Sequence, residues 1–245
     1  MDNTVNNLRA VIIGASSGIG REVATLLSAA GYSLAIAARR VELLDELAKS
    51  LPTPVITRRV DVTSTDATTD LRSLINDLGG MDLFFYATGV GHQNRSLDEA
   101  IEMQTVETNA LGFSRMVGEA FRFFAAQGHG HIAAISSIAG TMGLGPSPSY
   151  SATKALQATY LQSLAQLAHI RHLDICITDI RPGFVDTPLL KDDHYPMLMK
   201  PTAVAKDIVR AIREKRRIVT IDWRYRLLVF FWRLIPDFLW IRLKL

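Results

Sequence analysis

The chain has 245 residues, 48% of them apolar and 21% charged. That balance excludes a disordered polymer and is ample for one α/β domain with a buried core. The net charge of +3 hides a split: residues 1–199 carry 15 Lys/Arg against 20 Asp/Glu, whereas residues 200–245 carry 12 against 4. Trp223, Trp232 and Trp240, the only tryptophans, also lie at that basic end. The single cysteine, Cys176, has no partner for an internal disulfide, so a reducing, cytoplasmic setting is expected. The first residues hold no basic segment before an apolar run, and no apolar stretch reaches the ~18 residues of a membrane span. Neither a signal peptide nor a transmembrane helix is therefore expected.

In chain order, short β-branched runs at 8–13, 33–38, 54–60, 82–87, 131–136, 173–180 and 217–221 predict strands. Helix-length segments at 19–30, 41–50, 64–78, 97–126, 150–171 and 202–215 lie between them. The third of these has a start signal in Thr63 or Ser64, with Asp66 in its first turn. Several strands are apolar on both faces, as in a parallel sheet covered by helices on each side. The alternation predicts a single doubly wound Rossmann-type α/β domain of about seven strands over residues 1–221. Residues 222–245 form a separate apolar and basic tail.

The first strand ends in Gly14-Ala15-Ser16-Ser17-Gly18-Ile19-Gly20 and runs into a helix. Glycines there let the backbone turn sharply and approach a pyrophosphate, while the helix N-terminus offers N–H groups. The second strand ends in Arg39-Arg40, without the acidic residue that would bond an NAD ribose. Arginine at that point suits a 2′-phosphate, so NADP(H) is the expected cofactor. Tyr150 and Lys154 stand at i, i+4 and share one helix face, where the cation is expected to lower the tyrosine pKa. Ser137 follows the fifth strand, at the sheet end where such folds bind ligands.

These features together resemble the short-chain dehydrogenase/reductase family. The likeness runs over about residues 8–221 and adds Asp61-Val62, Asn109 and residues 182–187 (Pro-Gly-Phe-Val-Asp-Thr). The resemblance implies pyrophosphate binding by Gly14, Gly18 and Gly20, with Ser16, Ser17 and Ile19 in the same turn. It implies adenine contacts from Asp61 and Val62, and carboxamide contacts from Pro182, Gly183, Val185 and Thr187. Tyr150 would be the acid/base and Lys154 its ribose-bonded partner. Ser137 would polarise the carbonyl, and Asn109 would support a water chain reaching Lys154. Two departures stand out. Residues 86–89 read Tyr-Ala-Thr-Gly where the family has Asn-Asn-Ala-Gly, leaving Gly89 for close backbone approach, and Ile13 replaces a common threonine.

The expected activity is NADPH-dependent reduction of a ketone or aldehyde, or its reverse, on an apolar or lipid-like substrate. The alternatives are a catalytically silent NADP-binding scaffold at a membrane, or an NAD-linked alcohol dehydrogenase. Loops at 92–95, 141–148 and 188–199 would set specificity, with His92 and His194 as candidate second acid/base groups. No metal-ligand cluster is evident, and the tail's bulky aliphatics argue against nucleic acid. The resemblance also implies a homodimer or homotetramer built from the helices at 97–126 and 150–171. Pro236 divides the tail into two short helix candidates. Three partners are open to it: a membrane surface through residues 223–245, its own domain, or a second subunit.

Overall fold

The computed structural model describes residues 8–190 and 195–243. Part of the 188–199 loop, including His194, lies outside the described residues. Seven parallel strands, β1 (Arg9–Ile13), β2 (Ser33–Ala38), β3 (Val55–Arg59), β4 (Leu83–Tyr86), β5 (His129–Ile135), β6 (Asp174–Pro182) and β7 (Ile218–Ile221), form one sheet in the order 3-2-1-4-5-6-7. The order reverses between β1 and β4, which opens a crevice at their C-terminal ends.

Alternation along each strand feeds two cores. Ile12, Ile36 and Phe85 point to the face covered by α1 (Gly18–Ala29), α2 (Val41–Ser50) and α7 (Pro201–Arg213). Val11, Ile13 and Phe84 point to the face covered by α3 (Ala67–Asp77), α5 (Phe113–Gln127) and α6 (Pro148–Ile170). A strand buried on both sides cannot alternate polar and apolar residues, which is why the strands read as continuous apolar runs.

Three helices differ from expectation. The third begins at Ala67, because Asp61 Oδ1 first accepts the Thr63 N–H and hydroxyl and Ser64 Oγ accepts the Asp66 N–H, winding residues 61–66 into turns. The segment at 97–126 is not one helix. It runs as α4 (Glu99–Val106), a π-helical turn (Glu107–Gly112) and α5. Gly112 permits the close pass, since a Cβ there would stand 2.8 Å from Val62 Cγ2 and 3.0 Å from Val62 O. The helix at 150–171 starts two residues early, at Pro148, a residue preorganised for a first turn.

The tail forms α8 (Trp223–Trp232) and α9 (Asp237–Trp240), broken at Pro236 as expected. Asp222 caps α8 by accepting the Arg224 N–H at 2.9 Å. Among the described residues, no helix is long and apolar enough to cross a membrane.

Candidate active site

The glycine turn links β1 to α1 at the crevice. Gly14 has φ +95° and Gly18 φ +55°, both in the region that favours glycine. A Cβ on Gly14 would meet Thr88 N at 2.7 Å, and one on Gly20 would meet Gly14 O at 2.2 Å. Strand, helix and the 87–89 loop therefore pack backbone to backbone. No acidic residue occupies the first turn of α1, so an anion there meets N–H groups and no like charge.

Arg40 Nη2 donates to Ser16 Oγ at 3.1 Å and Ser17 Oγ at 3.0 Å, bringing a guanidinium onto the turn. Arg39 is exposed on the same rim. Asp61 lies near Arg39 and Arg59. Burial raises its pKa, but the Thr63 bonds and the two arginines outweigh this and hold it below the usual carboxylate range. Val62 is buried beside it. Cationic groups, bare backbone and a fixed carboxylate on one crevice fit a nicotinamide dinucleotide.

At the other end of the crevice, Ser137 Oγ caps a 3-10 turn (Ile138–Gly140) by accepting the Ala139 N–H at 3.1 Å. Tyr150 is half-buried, and a Cβ on Gly91 would touch its ring at 3.0 Å. Lys154 lies one turn further along α6, buried, with Nζ 5.7 Å from the Tyr150 ring centroid. It donates to Ile135 O at 3.1 Å and to Gln157 Oε1 at 2.9 Å. Burial pulls the Lys154 pKa down to about 8, with the Asp179 carboxylate opposing. The expected lowering of the Tyr150 pKa does not occur. Burial pushes it up, and a hydrogen bond with Ser137 opposes this without reversing it. The ammonium is already engaged with Ile135 O and Gln157 Oε1, 5.7 Å from the centre of the Tyr150 ring.

Asn109 projects inward from the π-turn. Its Oδ1 accepts the Val90 N–H at 2.9 Å and its Nδ2 donates to Val90 O at 2.7 Å, clamping the loop after Gly89. Its main-chain carbonyl accepts from Gln157 Nε2 at 2.8 Å. Gly89 lies above this group, its Cβ direction 3.6 Å from Lys154 Nζ.

Pro182 and Val185 are buried behind the crevice, and the Thr187 methyl lies 3.0 Å from the Cβ position of Gly18. Gly183 serves a packing need as well. A Cβ there would lie 2.2 Å from the Tyr225 ring, so the tail's tyrosine fills the glycine's vacant side. Tyr225 Oη accepts the Phe184 N–H at 3.1 Å and donates toward Pro196 O at 2.9 Å, with Met197 O at 3.2 Å. Trp232 Nε1 donates to Thr141 Oγ1 at 3.0 Å and Trp240 Nε1 to Gly143 O at 2.7 Å. The tail thus braces two of the three loops expected to set specificity. Two surface cavities lie beside α6; Gly140, Thr141 and Ala155 line both, with Met142 and Leu144 in one and Arg181 and Arg233 in the other.

A family model described as short chain dehydrogenase matches residues 9–196. The chain belongs to the short-chain dehydrogenase/reductase family. It is 32% identical to an uncharacterized oxidoreductase of Myxococcus xanthus over 194 residues, 77% of this chain and 76% of that protein. It is 27% identical to dehydrogenase/reductase SDR family member 7B of Bos taurus over 242 residues, 89% of this chain and 74% of that protein. In fold it is similar to an alcohol dehydrogenase from the archaeon Thermococcus sibiricus, solved with 5-hydroxy-NADP, at TM-score 0.78 and 24% identity, covering 89% and 97% of the two chains. This short-chain dehydrogenase/reductase is accordingly an oxidoreductase enzyme.

Three parts of the site carry no motif in the sequence. Gln157 gives no signal beyond lying seven residues after Tyr150 on the same helix face. Asp179, fully buried, bonds Ser136 and pairs with Arg181 at 2.6 Å beneath Lys154. Tyr225 belongs to the tail, which carries no family motif.

Proposed function

We propose that the chain is an NADP(H)-dependent carbonyl reductase that also runs in reverse as an alcohol dehydrogenase. The observation that carries this reading is the convergence of Ser137, Tyr150 and Lys154 at the strand ends, across the crevice from the glycine turn. The pyrophosphate would lie on Gly14, Ser16, Ser17, Gly18, Ile19 and Gly20. The 2′-phosphate would meet Arg40, with Arg39 on the rim, and the adenine would meet Asp61 and Val62. The nicotinamide end would lie between Gly89, Tyr150 and Lys154 on one side and residues 182–187 on the other. When bound, the dinucleotide supplies the hydride. Ser137 Oγ donates to the substrate oxygen, and Tyr150 Oη delivers a proton to that oxygen as its charge develops. A phenol kept protonated by burial starts as the acid that reduction needs. Tyr150→Phe is expected to abolish ketone reduction while NADPH binding, followed by fluorescence, survives. A variant that still reduces ketones overturns the assignment, and a wild-type chain that binds NADPH without turning over any ketone of a graded chain-length series favours the silent scaffold.

A specific observation favours work at a lipid surface. With Tyr225, Trp232 and Trp240 turned inward, the outer side of the tail exposes Trp223, Phe230, Phe231, Leu234, Phe238 and Ile241, with relative exposures between 58% and 72%. Arg226, Arg233 and Arg242 lie among them. Aromatics beside arginines suit an anionic membrane interface, whereas an isologous contact with a second copy would bring the arginines together. Sedimentation with phosphatidylcholine vesicles, with and without phosphatidylglycerol, tests this. Binding that requires the anionic lipid and is lost in Phe230→Ser/Phe231→Ser supports it. Unchanged sedimentation, or loss of a dimer in that variant, overturns it.

A further inference from the structure

Tyr150, Lys154 and Gln157 stand at i, i+4 and i+7 on α6 and form one stripe facing the strand ends. Gln157 has no solvent exposure. A buried amide is retained at low cost only when both its ends are bonded. Here its carbonyl takes the Lys154 ammonium at 2.9 Å and its NH2 donates to the Asn109 carbonyl at 2.8 Å. Those two bonds fix which end of the amide faces the lysine. Lys154 is held at a second point by Ile135 O, at 3.1 Å. The ammonium is therefore clamped between the end of β5 and a side chain of its own helix, while the same side chain is tied to the π-turn that carries Asn109.

We propose that Gln157 is a positioning residue of this site. It orients Lys154 Nζ toward the crevice and closes the gap to Asn109 with an amide. The inference rests on the cofactor reading above and concerns what this chain adds to it. An amide donates from nitrogen and accepts at oxygen, so it passes a proton only by converting to its imidic form. Lys154 is then a fixed cation, not a conduit toward Asn109. Tyr150, itself only partly buried, recovers its proton from water on the open side of the crevice. Other charged groups facing the lysine are few. Asp179 lies below it from β6 and is itself paired with Arg181, and Tyr150 faces it from α6.

The test uses the full chain and the variants Gln157→Ala and Gln157→Glu. Alanine removes the acceptor and disfavours the ammonium, so the Lys154 titration moves below its value of about 8. Glutamate places a carboxylate against the ammonium, so the titration moves above it. Nζ NMR of 15N-lysine protein, assigned with Lys154→Arg, reads this without any cofactor. NADPH affinity is expected to fall about tenfold or more in the alanine variant, with its alkaline limb displaced in the same direction. Shifts of opposite sign support the proposal. Titrations that stay in place, or move together while only the melting temperature falls, reduce Gln157 to packing and overturn it. If alanine does not fold, the direction of the glutamate shift decides. If NADPH does not bind the wild-type chain, the cofactor reading fails while the NMR result still stands. A solvent-deuterium inventory of ketone reduction is expected to be linear, with one proton in flight. A bowed inventory in the wild type overturns the closed Lys154–Asn109 link.

Discussion

Tyr225→Phe isolates the tail's hold on the site. The substitution keeps the ring that fills the space above Gly183 and removes only the hydroxyl. That hydroxyl accepts from Phe184 N and donates toward Pro196 O, so one part-buried donor and one acceptor lose their partner. Leaving such groups unsatisfied costs about 1–3 kcal/mol. For a chain of this length, about 2 kcal/mol lowers the melting temperature by ~4–8 °C. Thr187 lies three residues beyond Phe184 and faces Gly18, so the loosened segment is also the one proposed to hold the nicotinamide end. NADPH affinity should fall together with stability. Thermal unfolding by circular dichroism and NADPH titration by fluorescence read the two effects. A variant that melts with the wild type and binds NADPH unchanged would show that the hydroxyl does not secure this segment.

Arg40→Ala should reduce the NADPH-over-NADH preference at least about tenfold, because a charged donor facing the 2′-phosphate is lost while NADH affinity is untouched; parallel titrations with both cofactors check it. Tyr86 is buried edge-on against Phe113, at 5.3 Å and 90°, and its hydroxyl has no hydrogen-bond partner among the described residues. Tyr86→Phe should therefore leave stability unchanged or raise it by about 1 kcal/mol in urea unfolding. Burial, helped by the charge of Lys215, pulls the His131 pKa down to about 4, where its ring bonds Thr178 at 2.8 Å. The unfolded chain binds that proton first, so stability is complete above about pH 6.5 and is lost progressively toward pH 4, a window that His131→Gln should flatten.

Much of this fold is legible in the sequence because its determinants are local. Strands such as Ala10–Ile13 are apolar on both faces, and the glycine turn is set by three residues whose freedom or bareness is needed where they stand. What escapes is set across long sequence distances. The π-turn answers to the approach of Gly112 to Val62, fifty residues earlier. Gln157 reaches Asn109 across 48 residues, and Trp240 reaches Gly143 across 97. The local pair Tyr150–Lys154 predicts a shared helix face correctly, but says nothing of Ile135 O and Gln157. Those groups compete for the ammonium, and burial then raises the phenol's pKa where proximity alone would lower it.

The tail's two faces bear on how its role can be measured. Removing residues 223–243 would strip Tyr225, Trp232 and Trp240 from the domain, along with any surface they carry. The loss opens the space beside Gly183 and exposes Phe184, which packs against Tyr225 at 6.5 Å. Removing a buried aromatic alone costs about 3–5 kcal/mol. A truncated chain that fails to bind vesicles would therefore report unfolding as readily as a lost membrane contact. Outward substitutions separate the two. Phe230 and Phe231 are about 60% exposed and pair mainly with each other, at 5.3 Å, so Phe230→Ser/Phe231→Ser should stay within about 0.5 kcal/mol of the wild type. Vesicle binding that vanishes in that variant at unchanged melting temperature assigns the outer face to lipid. A drop in melting temperature comparable with that of the truncation would instead show that the outer residues belong to the fold, and that the division of the tail into two faces is wrong.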